Sequence, residues 1–187
     1  MTLPSDDGSS TGTVLVVDDD ESVWTALSSL FRSVGLAVQT FGSTQDLFRA
    51  TFPNSPSCIV PDVRLPGQSG LDVPAQLAQA GVHLPIVFMT GFGDIPMSVQ
   101  AMRAGAVDFL PKPFRDQAML EAVCAAIERD RKSREVSHAD ARVRTLFETL
   151  SSREKEVMRL VTQGLMNKQV VRWTRKTGQV AKRDSGP

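Results

Sequence analysis

The 187 residues include 41% hydrophobic and 22% charged side chains, the balance of a folded chain and not of a disordered or fibrous one. The 21 Lys and Arg offset the 21 Asp and Glu, and no apolar run approaches the roughly 20 residues that a membrane-spanning helix needs. That neutrality hides a gradient: residues 1–118 hold 6 basic against 12 acidic side chains, residues 119–150 hold 6 of each, and residues 151–187 hold 9 against 3. An acidic front and a basic end point to two separate tasks, the second suited to meeting nucleic acid or to staying solvated. The opening MTLPSDDGSSTG has neither the basic start nor the apolar core of a secretory signal, so residues 1–12 read as a flexible tail. Cys58 and Cys124 stand far apart and outside metal-like spacing, which reads as two buried thiols in a reducing cytoplasm.

Along the chain, Thr13 to Val17 (TVLVV) reads as a buried strand that runs into the acidic turn Asp18-Asp19-Asp20-Glu21. Val23, Leu27, Leu30, Phe31 and Val34 recur at helical spacing, with Gly35 as the stop. Ala37 to Phe41 is a second strand, and Thr44 to Phe52 a helix closed by Pro53. Ser57 to Val60 is a third strand, ending at Pro61-Asp62. Ser69 with Asp72 marks a helix start, and that helix runs toward Gly81. Pro85 to Met89 is a fourth strand before Thr90, Pro96 to Ala104 a helix, and Ala106 to Leu110 a fifth strand before Pro111-Lys112-Pro113. A helix rich in Ala, Met, Leu and Glu follows from about Asp116.

Five strand–helix repeats with short connections predict an α/β fold, a doubly wound five-stranded parallel sheet with helices on both faces. Ligands in such sheets bind beyond the carboxyl ends of the strands. The residues standing there are Asp18, Asp19, Asp62, Thr90 and Lys112. A capping turn, a strand-end hydroxyl or a surface lysine would each account for one of them alone. Together, three carboxylates would repel unless a hard cation is bound, and their oxygens suit magnesium. A carboxylate nucleophile, a divalent metal, an ammonium and a hydroxyl donor are the parts of a phosphoryl-transfer site. His83 and His138 are single and read as structural or exposed.

The segments VLVVDDDESV (14–23), PDVRLPGQSGLDV (61–73) and PIVFMTGFGDIPMSVQAMRAGAVDFLPKPF (85–114) resemble the receiver domain of two-component response regulators, the last closest to the FixJ type. The resemblance covers residues 13–128 and implies the flavodoxin-like strand order 2-1-3-4-5. It implies that Asp62 is the phosphoacceptor and that magnesium is held by Asp18, Asp19, Asp62 and the backbone carbonyl of Arg64. Thr90 and Lys112 would complete the catalytic set, Thr90 and Phe109 would form a switch, and the Lys112-Pro113 bond would be cis. The implied partner is a sensor histidine kinase, and the implied chemistry is confined to the chain's own phosphorylation and dephosphorylation, so no enzyme acting on a separate substrate is expected. A magnesium-dependent phosphohydrolase of the best-known kind needs an acid two positions after its nucleophile, where Arg64 stands.

Two departures qualify that expectation, a small one at Pro61 and a large one at the C-terminus. Pro61 precedes Asp62 and removes a donor from what should be a central strand, so a weakened or bent strand is expected. Pro74 falls in the first turns of a helix. Further on, Val136, Ala139, Val143, Leu146 and Leu150 follow a 3–4 spacing, which predicts a linker helix over 129–148 with a possible partner helix against it. FETLSSREKEVMRLVTQGLMNKQV (147–170) then resembles the start of a LuxR-type helix-turn-helix, with Ser151 and Glu154 as a capping box and Val157, Leu160 and Val161 as the apolar face. The resemblance stops there, and residues 149–187 read as a truncated remnant and basic tail, in which Arg172, Arg175, Lys176, Lys182 and Arg183 flank Trp173. DNA binding would then lack its recognition helix. A homodimer is open through the helix–strand–helix face after Gly93 or through the linker helix, and no membrane contact is expected.

Overall fold

A computed structural model describes residues 12–65, 68–91 and 95–162. Strand β1 (Thr13–Val17) is buried along its whole length, because helices cover both of its faces. Alternate residues therefore enter different cores. Val14 and Val16 pack with Phe31, Val60, Met119 and Val123, whereas Leu15 and Val17 pack with Leu47, Ile59, Val73 and Leu77. Helix α1 (Glu21–Ser33) contributes Leu27 and Phe31, and its first turn is capped by the Asp20 side chain. Gly35 ends the turn at φ 81°, a conformation open to glycine.

Strand β2 (Ala37–Phe41) and helix α2 (Thr44–Arg49) follow. The helix is shorter than the sequence predicts, because Ala50 is already extended and Phe52 precedes a proline, which disfavours helical backbone there. Strand β3 (Ser57–Pro61) is fully buried. After a two-residue antiparallel ladder between Arg64–Leu65 and Gln68–Ser69, Ser69 caps a 3-10 turn over Gly70–Asp72, and helix α3 (Val73–Gln79) begins with Pro74 in its first turn. A proline there loses no intrahelical bond, so Pro74 is accommodated. Strand β4 (Val87–Thr90), helix α4 (Ile95–Arg103) and strand β5 (Asp108–Pro111) complete the alternation.

The strand order is 2-1-3-4-5, all parallel, as the family resemblance implies. Its lateral bonding is uneven. β1 pairs with β3 over five residues, from Thr13 with Ser57 to Val17 with Pro61. β3 meets β4 only at two isolated bridges, Ile59 with Ile86 and Asp62 with Met89. Pro61 is the reason. Ile59 N–H donates to Pro85 O at 3.0 Å and Val63 N–H to Met89 O at 2.9 Å, so the residue midway between them is the one whose N–H should reach Val87. Asp62 N–H points the other way, to Val17 O at 2.8 Å. Proline thus breaks the ladder on the β4 side alone.

The helix after β5 and the linker helix expected beyond it form one element, α5 (Asp116–Thr149). Its first part buries Met119, Ala122, Val123, Ala126 and Ile127; Cys124, expected to be buried, lies on the opposite, exposed side of this stretch, while Cys58 in β3 is buried. The described residues fall into two compact units, up to Glu135 and from Val136. In the second unit the 3–4 seam is exposed at Val136, Val143 and Leu146. Helix α6 (Ser152–Thr162) follows, and its capping box forms as predicted: Ser151 N–H donates to Glu154 Oε2 at 2.8 Å and Glu154 N–H to Ser151 Oγ at 3.4 Å. The Ser151 hydroxyl, which donates to Glu154 Oε2 at 2.6 Å, and then the Ser151 N–H hold the Glu154 carboxyl pKa below its ordinary value. Of the apolar positions Val157, Leu160 and Val161, only Leu160 is fully buried and Val161 is exposed. The N-terminal tail, Gly93 and the basic segment around Trp173 lie outside the described residues. No helix among the described residues is long and apolar enough to cross a membrane.

Pro61→Val supplies the missing donor in a side chain of similar volume. The expected gain is about 1 kcal/mol after the proline's own entropic advantage is lost, read as a higher urea midpoint with an unchanged slope. An unchanged or lower midpoint would show that the interrupted ladder costs nothing.

Candidate functional site

The carboxyl ends of the strands bring four of the expected side chains to one edge. Asp18 follows the last residue of β1 and Asp62 the last of β3, while Thr90 ends β4 and Lys112 follows β5. Lys112 Nζ lies 2.7 Å from Asp18 Oδ2 and 2.6 Å from Asp62 Oδ2, so one ammonium bridges two carboxylates. The second oxygen of each acid is held by backbone: Asp20 N–H donates to Asp18 Oδ1 at 2.9 Å, and Arg64 N–H to Asp62 Oδ1 at 2.8 Å. Asp18, Asp62 and Thr90 are buried and Asp19 is exposed.

The β4–β5 ladder places Lys112. Thr90 pairs with Pro111, and Lys112 N–H donates to Thr90 O at 2.7 Å. The Lys112-Pro113 peptide is cis, as the family resemblance implies. Phe109 is half-buried opposite Phe88 in the same ladder and packs against the second core cluster.

Burial pushes the Asp18 carboxyl above its ordinary value, against the pull of Lys112 and the Asp20 N–H. Burial alone would lower Lys112, but its hydrogen bonds to Asp18 and Asp62 outweigh this and carry the ammonium above its ordinary value. The lysine therefore stays charged.

The expected metal set is only partly assembled. Among the described residues no three His, Cys, Asp or Glu side chains converge as a metal cluster: Asp18 and Asp62 share Lys112, and Asp19 is exposed at the adjoining position. The donor chemistry does fit magnesium, since the candidates are carboxylate and carbonyl oxygens with no sulfur or imidazole. Three acids stand against one ammonium at this edge; the raised pKa of Asp18 comes first from burial, with the Asp62 charge a lesser cause.

Two contributors were not legible as site residues. A Cβ on Gly70 would collide with the carbonyl oxygen of Asp62, and Gly70 N–H donates to Val63 O at 2.9 Å. Glycine lets the loop after β3 lie against the acid's own backbone. Trp24, on α1, donates its indole N–H to the Asp18 carbonyl at 2.7 Å. A glycine within the quoted motif was a signal for the first; nothing in the spacing signalled the second.

This doubly wound sheet with an acid–lysine cluster on its carboxyl edge defines a receiver fold. Residues 14–124 match the response regulator receiver domain, and residues 148–172 match the bacterial regulatory proteins of the luxR family. Nodulation protein W of Bradyrhizobium diazoefficiens is 59% identical over 157 residues, covering 84% of this chain and 69% of that protein. Transcriptional regulatory protein FixJ of Azorhizobium caulinodans is 41% identical, covering 84% and 74%. Among solved structures, response regulator StyR aligns with a TM-score of 0.79 at 40% identity over 93% of this chain and 89% of that one. Full-length FixJ from B. japonicum aligns with a TM-score of 0.61 at 34% identity, covering 89% and 82%. The chain belongs to the response regulators, with a receiver domain and a LuxR-type segment after it.

Gly70→Ala should lower the melting temperature, with a cost of about 1–3 kcal/mol for overpacking against the Asp62 backbone. A melting temperature equal to that of the parent would show that the loop relaxes freely.

Proposed function

We propose that Asp62 accepts a phosphoryl group from a phosphohistidine of a sensor histidine kinase, and that this switches the receiver between two conformations. The observation that carries the reading is the Lys112 ammonium set between the Asp18 and Asp62 carboxylates at the carboxyl edge of the sheet. An Asp62 carboxylate oxygen attacks phosphorus as the phosphorus–nitrogen bond breaks, and the histidine leaves with the electron pair. The bridging position of Lys112 lets its ammonium meet a phosphoryl oxygen without leaving the site. The Thr90 hydroxyl donates to another phosphoryl oxygen. Arg64 N–H steadies Asp62 during attack, since it already holds Oδ1. Magnesium, held by Asp18, Asp19, Asp62 and the Arg64 carbonyl, would supply the remaining charge neutralisation.

Engagement of Thr90 by the phosphoryl group draws it toward Asp62, and half-buried Phe109 turns inward behind it. The result is a shift between two states a few kcal/mol apart. Residues 13–128 form the receiver, 129–148 the linker and 149–187 the output segment on this reading. The chain works in the cytoplasm, acts catalytically only on itself, and can pair with a second copy through the exposed linker seam.

A second reading, phosphorylation-dependent regulation of transcription through DNA, is favoured by the luxR-family match at 148–172 and by the capped helix α6 within it. A gel shift on a promoter fragment with and without phosphodonor separates it from a receiver acting without DNA.

Asp62→Asn keeps the shape of the side chain and removes the nucleophilic charge. Labelling by acetyl phosphate with magnesium, read by intact mass, is expected to fall to background. Labelling of this variant at the parent's level would sink the assignment of Asp62.

A further inference from the structure

The indole of Trp24 does something that the phosphoryl chemistry above leaves unused. Trp24 stands near the start of α1 and reaches back to the acidic turn, where Nε1 meets the Asp18 carbonyl oxygen at 2.7 Å. The ring packs against the first core cluster, and its outer edge lies under Gly42, where a Cβ would sit 3.5 Å from Cζ2. The donor is therefore held by packing on more than one side.

Asp18 is otherwise fixed at three points. Its N–H donates to Phe41 O at 3.1 Å, its Oδ1 accepts from Asp20 N–H, and its Oδ2 accepts from Lys112. The carbonyl is its remaining polar group. That carbonyl belongs to the planar peptide joining Asp18 to Asp19, so the indole bond sets the plane and, through it, the Cα of Asp19. The Asp19 side chain is exposed, and its placement depends on its backbone more than on packing.

We propose that Trp24 is a positioning residue: by holding the Asp18 carbonyl it orients the Asp18–Asp19 peptide and so raises the affinity of the acidic turn for a divalent cation. The inference rests on reading that turn as the magnesium-holding site. A tryptophan that only fills space would be replaced by phenylalanine at little cost to the turn. A tryptophan that positions would not, because phenylalanine lacks the N–H. Glutamine makes the converse test, since its amide nitrogen is as many bonds from Cα as the indole nitrogen while the ring is gone.

The test is calorimetric titration of the full chain with magnesium chloride, without phosphodonor, for the parent, Trp24→Phe and Trp24→Gln. Trp24→Phe should bind magnesium about three- to tenfold more weakly, the range expected from losing one hydrogen bond. The magnesium concentration for half-maximal acetyl phosphate labelling should rise by the same factor, with the rate at saturating magnesium close to the parent's. Trp24→Gln should recover most of the affinity. Parent-like affinity in Trp24→Phe, or affinity in Trp24→Gln no better than in Trp24→Phe, overturns the positioning role alone. A parent that binds no magnesium overturns the cation reading of the turn and the positioning role with it.

Discussion

The site depends on one arrangement of charge, the Lys112 ammonium held between two buried carboxylates. Asp18 is 1% and Asp62 7% exposed, and each lies within 2.7 Å of Nζ. Charges taken this far from water recover only part of their hydration from pairing, so the trio adds little net stability. Removing the lysine alone would be costly, about 3–5 kcal/mol, because two uncompensated carboxylates would remain. A group expensive to keep and more expensive to break is better explained by chemistry than by folding. The fully buried β1 and β3 serve it by carrying the two acids on neighbouring strands, and β5 serves it by carrying the lysine from across the sheet.

The backbone around Asp62 shows how a proline is tolerated beside the reacting group. Parallel strands send successive N–H groups to opposite neighbours. Pro61 silences a donor on the β4 side, while Asp62 N–H on the β1 side keeps its bond to Val17. The five-residue pairing of β1 with β3 survives, and the β3–β4 seam is reduced to two bridges. Val63 N–H restores the bond to β4 one residue past Asp62. The acid is thus bracketed by intact bonds on both sides.

Most of this was legible in the sequence, for reasons that differ by element. β1 and β2 match their expected bounds residue for residue: Gly12 and Asp18 flank the apolar β1, and Gly42 stops β2. Asp18, Asp62, Thr90 and Lys112 were legible because a parallel sheet must present strand-end residues on one edge. Asp19 shares the motif but not the cluster, since successive residues of a turn diverge. The end of α2 was not legible: helical spacing continues through Phe48 and Phe52, yet those rings make an edge contact, centroids 6.4 Å apart, after the backbone has left the helix. The contacts of Gly70 and Trp24 were hidden for a related reason. They are made to backbone carbonyls, and periodicity records side chains.

Asp130 anchors the start of β3. It is 3% exposed on α5, and its Oδ2 accepts from Ser57 N–H at 2.8 Å and from Arg134 Nε at 2.6 Å. Arg134 also reaches Pro53 O at 3.4 Å. Ser57 is the first residue of β3 and Pro61 the last. The strand that lost a lateral bond is therefore held at both ends, by an ion pair on α5 where it starts and by Lys112 just past its end. A charged clamp suits this position because the first N–H of the strand needs an acceptor that no neighbouring strand supplies. Arg134 offsets the burial of that acceptor. The helix carrying the clamp is the one that continues to Thr149, so the strand bearing the candidate phosphoacceptor and the helix leading out of the receiver are joined by a direct hydrogen bond.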